Sequence, residues 1–309
     1  MEYVVGIGAC NVDFYAKSRV EIKKNYDHPS TISTSTGGVT RNVLETIGRL
    51  GVKTYLLTCL GDDNLKDYII EKSSNYVDFS KAKICKGLET SKFIQVFDNN
   101  NDMLLAVCDM DIINNIDINY IKENDELIKN ASAIIIDPSL NKDVIEYITN
   151  TYKDNKIFLD PISDHYASVI KPYINNIYEI KPNIKELSNL VDKTINDDKD
   201  IIDACKQLIN KGVKNVVVTS GGNGSYFINK DEVINVKLKR LEEVVNASGA
   251  GDSFFATLIY SHVKNIDNKH ALELANAAGR LAIQSKSVTA NNLSVKILEE
   301  IVKENILWI

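Results

Sequence analysis

No apolar run in these 309 residues approaches the roughly 20 that a membrane span needs. The opening Met1-Glu2-Tyr3-Val4-Val5-Gly6-Ile7-Gly8 has neither the basic start nor the long apolar stretch of a secretory leader. Cysteines spaced for metal or disulfides are also lacking. Cys10, Cys59, Cys85, Cys108 and Cys205 are scattered, odd in number and without a C-x-x-C pair, which suits reduced thiols in the cytosol. Positive charge is scarce too. A formal net charge of −6 speaks against nucleic acid held on a basic face, though not against a nucleoside or sugar as ligand. Repeats and low-complexity linkers are absent. The expectation is a cytoplasmic protein with neither a membrane nor a nucleic-acid partner.

What is present is an ordinary globular composition, 44% hydrophobic and 25% charged, long enough for one large α/β domain. Short β-branched runs at 3–9, 54–60, 133–136, 156–159, 178–180 and 215–219 predict buried strands. Helical patterns alternate with them at 42–50, 142–152, 201–211, 251–263 and 269–285. That alternation implies a mostly parallel sheet covered on both faces, with ligands beyond the carboxyl ends of the strands. Residues 12–35 and 90–108 break the rhythm with short alternating strands. They predict a small β lid over the open end of the main sheet. An exposed lid face would need covering, by substrate or by a second subunit.

The most informative stretch is Asn246-Ala247-Ser248-Gly249-Ala250-Gly251-Asp252, followed by an apolar helical run. Two glycines let a ligand approach the backbone, and a helix starting here would offer unpaired N–H groups to an anion. Asp252 would then stand where an anionic ligand meets a general base, which suits phosphoryl transfer to a hydroxyl. Four further segments join it: Gly8-Ala9-Cys10-Asn11-Val12-Asp13, Gly37-Gly38-Val39-Thr40-Arg41-Asn42, Lys181-Pro182-Asn183-Ile184-Lys185-Glu186, and Thr219-Ser220-Gly221-Gly222-Asn223-Gly224. Each alone would read as a cap or a turn.

Together and in this order they resemble the ribokinase-like (PfkB) family of carbohydrate and nucleoside kinases. The resemblance covers the whole length and both signatures, G-G-x-x-x-N at Gly37 to Asn42 and G-A-G-D at Gly249 to Asp252. It implies a ribokinase-like three-layer α/β sandwich over 1–309, its lid formed by about 12–35 and 90–110. It implies Asp252 as catalytic base, with the backbone of Gly249, Ala250 and Gly251 as an anion hole. Asn11, Asp13, Gly37, Gly38, Arg41 and Asn42 are then the expected substrate contacts. An Asp with an Asn suits vicinal hydroxyls, one accepting and the other able to donate and accept. Asn183, Thr219, Gly221, Gly222, Gly224 and Asn276 are expected around ATP, and Glu186 near Mg²⁺ through water. A monovalent cation such as K⁺ is implied near Asn246 and Ser285 to Ser287, and a lid-to-lid homodimer for the assembly.

Within the family, Gly-Gly-Val-x-Arg-Asn-x-x-Glu ending at Glu45, the Val107–Ile112 segment and Asn246 resemble the pseudouridine kinases. The implied activity is ATP-dependent phosphorylation of the 5′-hydroxyl of pseudouridine. The alternatives are another sugar or nucleoside kinase of the family, and a non-catalytic sensor on the same fold. An intact G-A-G-D and N-x-x-E weigh against the sensor.

Overall fold

The computed structural model describes residues 2–239, 249–285 and 289–307. The six expected strands join three others in one large sheet, in the order Ile306–Leu307, Val233–Leu238, Ser225–Ile228, Asn215–Thr219, Glu179–Ile180, Ile157–Leu159, Ala133–Ile136, Tyr3–Ile7 and Lys53–Leu57. Pairing is parallel from Lys53–Leu57 through Asn215–Thr219 and antiparallel beyond.

Successive strand residues face opposite sides, so each strand feeds two cores. Val5, Ile7, Ile134, Ile136 and Leu159 pack with Val144, Leu187, Ala204 and Leu208 of helices on one side. Val4, Leu56, Ile135 and Phe158 pack with Leu44, Ile47, Phe255, Ile259 and Ala278 on the other. Helix Ala250–Val263 is apolar on nearly all sides because it lies against the sheet between helices Val39–Arg49 and Asn268–Ile283. Three layers follow, and the parallel strands bring their carboxyl ends to a common edge. There Asp137 accepts hydrogen bonds from Ala9 N (3.1 Å) and Thr40 Oγ1 (3.0 Å), fixing the turn after the first strand against the first glycine-led helix.

Two expectations shift. The run 54–60 is not one strand. It leaves the large sheet after Leu57, and Cys59–Gly61 pairs in parallel with Lys83–Cys85, drawn by the hydrogen bond from Lys83 N to Thr58 O (2.8 Å). The helix expected at 42–50 starts earlier, at Val39, because Gly38 (φ 95°) caps it and Asn42 N donates to Gly38 O. The irregular stretches form a small sheet ordered Ser30–Gly37, Asn11–Ser18, Lys92–Phe97, Met103–Asp109. On it Ile32, Met103, Leu105 and Val107 are exposed. The five cysteines are free, and only Cys108 is exposed. Among the described residues no helix is long and apolar enough to cross a membrane.

Several charged side chains are buried, Glu179 among them. Glu179 is 6% exposed, and its Oε1 has no hydrogen-bond partner. It lines a cavity of about 240 Å³ with Asn215, Leu258 and His262. Burial pushes its carboxyl from the ordinary 4.5 up to about 8. The folded chain thus keeps a proton that the unfolded chain releases, and stability falls as pH rises from about 4.5 through 8. Glu179→Gln removes that ionisation. We expect the variant to exceed the parent in stability by roughly 2–4 kcal/mol at pH 9, with no difference near pH 4. Urea unfolding at the two pH values measures this, and a pH-independent difference would refute it.

Candidate active site

The opening motif folds as its small residues require. Gly249 takes a left-handed backbone (φ 78°) and caps helix Ala250–Val263. Ala250, Gly251 and Asp252 form its first turn, where N–H groups have no partner within the helix and the dipole favours negative charge. Asp252 is half-buried and accepts a hydrogen bond from Asn42 Nδ2 at 2.7 Å. Burial raises its carboxyl to about 6; the Asn42 bond and the charges of Lys181 and Arg41 oppose the rise, and Asp160 adds to it.

From Asn42 the cluster runs to the small sheet. Arg41 Nε donates to Gly37 O (3.0 Å). A Cβ on Gly37 would stand 2.4 Å from Asp13 Oδ1 and 2.6 Å from Asn11 Nδ2, so only glycine fits against that pair. Asn11 Nδ2 donates to Asp13 Oδ1 at 2.6 Å, and Tyr15 OH to Asp13 Oδ2 at 3.3 Å. Gly38 is equally constrained, since a Cβ there would meet Ala9 O at 2.5 Å.

One expectation for this region needs correction. Arg41, expected to touch substrate, is 1% exposed and spends its guanidinium on the protein, so it has no N–H left to offer. Asn42 was expected to offer both a donor and an acceptor. Its Oδ1 accepts from Arg41 and one N–H goes to Asp252, which leaves the amide one N–H and one oxygen lone pair.

On the other side of Asp252, Lys181 follows strand Glu179–Ile180 and Asp160 follows Ile157–Leu159. They form a buried ion pair at 2.8 Å. Lys181 Nζ lies 3.8 Å from where a Cβ on Gly251 would sit. Glu186 is buried beside them. Desolvation and the Asp160 charge raise its carboxyl, against the opposing hydrogen bond from Asn183 N and the charge of Lys181. Asn183 and Glu186 form a reciprocal capping box, with Asn183 Oδ1 accepting from Glu186 N and Glu186 Oε2 from Asn183 N, both 2.9 Å. That cap occupies one oxygen of Glu186. Asp160, Glu186 and Asp252 all act electrostatically on Lys181, but among the described residues no three Asp, Glu, His or Cys side chains are grouped so as to hold a metal ion.

Asn183 bridges to Thr219, whose N donates to Pro182 O (3.1 Å). Thr219 pairs with Ser225, and Ser225 Oγ accepts from Asn276 Nδ2 at 2.6 Å. The turn between them uses Gly221 (φ 53°), Gly222 and Gly224 (φ 91°), closed by Ser220 N to Gly224 O (2.9 Å). The expected nucleotide residues are therefore contiguous. Asn246, Lys286 and Ser287, named for a monovalent cation, lie outside the described residues; Ser285 follows helix Asn268–Ile283.

Residues 1–295 match the family described as pfkB family carbohydrate kinase. The chain belongs to that family. It is 27% identical over 299 residues to the pseudouridine kinase of Escherichia coli, covering 95% of this chain and 94% of the relative. A putative sugar kinase from Clostridium perfringens superposes with a TM-score of 0.90 at 26% identity, over 99% of this chain and 96% of that one. Arabidopsis thaliana ribokinase, solved with ribose and ATP, gives 0.84 at 21%, over 98% and 99%. This PfkB chain has the ribokinase-like fold.

Sequence reading assigned no role to Asp160 and Lys181. The signal was there: both lead an X-Pro step after adjacent strands paired Leu159 to Ile180, which makes the following residues neighbours. Lys181→Met would strand Asp160 in the interior. We expect a loss of roughly 3–5 kcal/mol in denaturant unfolding. Adding Asp160→Asn should recover part of it; equal losses for the single and double variants would refute the pairing argument.

Proposed function

We propose that this PfkB protein transfers the γ-phosphoryl group of ATP to the 5′-hydroxyl of pseudouridine. The observation that carries this reading is the Asn42–Asp252 hydrogen bond. It joins the segment suited to sugar hydroxyls to a carboxylate at a helix N-terminus suited to phosphate. In this reading Asp13 and the spare N–H of Asn42 hold ribose hydroxyls, with Asn11, Gly37 and Gly38 shaping the pocket. Asp252 takes the proton of the 5′-hydroxyl as its oxygen bonds to the γ-phosphorus and the bond to ADP breaks. The N–H groups of the Gly249–Gly251 turn meet the charge that develops on the transferred group. Thr219, Gly221, Gly222, Gly224, Asn183 and Asn276 border the nucleotide. Glu186, through water, would hold Mg²⁺, which neutralises phosphate charge when bound. A monovalent cation near Asn246 is part of the same reading.

Pseudouridine is favoured by the Gly37–Glu45 sequence pattern and by the Escherichia coli relative. A different sugar or nucleoside acceptor is the second reading, favoured by the Clostridium perfringens neighbour named a sugar kinase. The small sheet acts as a lid that excludes water from the reaction. Its exposed Ile32, Met103, Leu105 and Val107 pair with a second copy in a cytoplasmic homodimer.

Four measurements test this reading. Purified protein with Mg-ATP should phosphorylate pseudouridine faster than uridine, adenosine, ribose or fructose; a much faster rate with another acceptor refutes the substrate. Asp252→Asn should lower kcat by about 10²–10⁴-fold while sparing acceptor binding. In the parent, kcat should fall tenfold per pH unit below about 6, where Asp252 becomes protonated. Sedimentation should find one species of twice 34.5 kDa, which Val107→Lys converts to monomer; a monomeric parent removes the homodimer.

A further inference from the structure

Arg41 is the most heavily committed side chain near the site. Its guanidinium has five N–H donors and no acceptor. Nε donates to Gly37 O (3.0 Å). Nη1 donates to Glu45 Oε2 and to Ser73 Oγ (3.2 Å). Nη2 donates to Thr36 O (2.8 Å) and to Asn42 Oδ1. All five are used. The partners come from the end of strand Ser30–Gly37, from helix Val39–Arg49 and from the end of helix Asn64–Ser73. Glu45 is held in turn by Arg49, whose Nε and Nη2 reach Oε1 at 3.0 and 2.8 Å. The guanidinium is thus pinned at several points, and its position is not free to adjust.

That rigidity has a consequence for Asn42. An amide has two ends, and rotation by half a turn exchanges oxygen for nitrogen. A guanidinium can only donate, so the Asn42 atom facing Arg41 must be the oxygen. The NH₂ group is then forced toward Asp252, where it donates at 2.7 Å. Reversed, the amide would set N–H against N–H on one side and oxygen against carboxylate on the other. We infer that Arg41 is a positioning residue: it locks the Asn42 amide so that an N–H always faces Asp252, and through that amide it sets the orientation of the carboxylate. The consequence for proton transfer rests on the kinase reading; the hydrogen-bond chain itself does not.

The test separates the two. Arg41→Lys keeps a positive charge beside Glu45, but its single ammonium cannot span Gly37, Thr36 and Asn42 together. Asp252 also faces Asp160, Lys181 and Arg41, and the lysine preserves the last charge, so a change in its titration reports the lost orientation. ¹³C-carboxyl NMR reads the Asp252 midpoint directly, with no need for turnover. We expect it to rise by about one pH unit in Arg41→Lys and in Asn42→Ala, and no further in the double variant. The acid limb of kcat should move with it, and kcat should drop roughly 10–100-fold with KM for ATP unchanged. Additive shifts, or an unmoved midpoint in Arg41→Lys, overturn the inference. Should circular dichroism show Arg41→Lys unfolded, Arg41→Lys with Glu45→Gln keeps the cation and is held to the same outcomes. A midpoint that moves in a protein that phosphorylates no acceptor keeps the positioning role and sinks the kinase reading.

Discussion

The hydrogen bond between Asn42 and Asp252 spans 210 residues of sequence, and the rest of the site is arranged around it. It holds the first turn of helix Val39–Arg49 against the first turn of helix Ala250–Val263. Both helices start at glycines with positive φ, Gly38 and Gly249, because the chain must turn sharply there. Both lie on the same face of the sheet, pressed together by Leu44, Ile47, Phe255 and Ile259. The core thus sets where the two helix starts meet, and the polar contact is the outcome of that packing.

Charge organisation follows the same logic. Three carboxylates, Asp160, Glu186 and Asp252, surround Lys181 in a partly desolvated space. Glu186 and Asp252 both titrate above their ordinary values because burial outweighs their favourable contacts. Such an arrangement is costly for stability unless charge is balanced. The Asp160–Lys181 pair balances part of it. Glu179 is a separate matter. It sits at the opening of its strand, away from the carboxyl-end edge, with no partner for its buried oxygen.

Much of this was legible in the chain. Strands 133–136 and 215–219 were readable because β-branched runs buried on both faces have few other solutions. The helices that were missed, Asn64–Ser73 and Asp164–Ile170 among them, are short or weakly patterned, and their starts rest on single caps at Asp63 and Ser163. The hairpin Ser225–Ile228 and Val233–Leu238 extends the sheet in an antiparallel sense that the alternation of strands and helices did not signal.

For the site, the residue types and their order along the chain determined the family resemblance, because glycines, an Asp and an Asn at fixed offsets suit one kind of backbone and ligand. What only the tertiary structure decided is which polar atoms remain unspent. The family resemblance groups Arg41 with the substrate contacts, and the other reading, that it pairs with an acidic neighbour, is the one the contact with Glu45 supports. Its five donors are consumed by carbonyls, a hydroxyl and side chains from three separate elements. Hydrogen-bond capacity is finite and its partners are distant in sequence, so the division between groups that hold the site and groups that face a ligand exists only once the chain has folded.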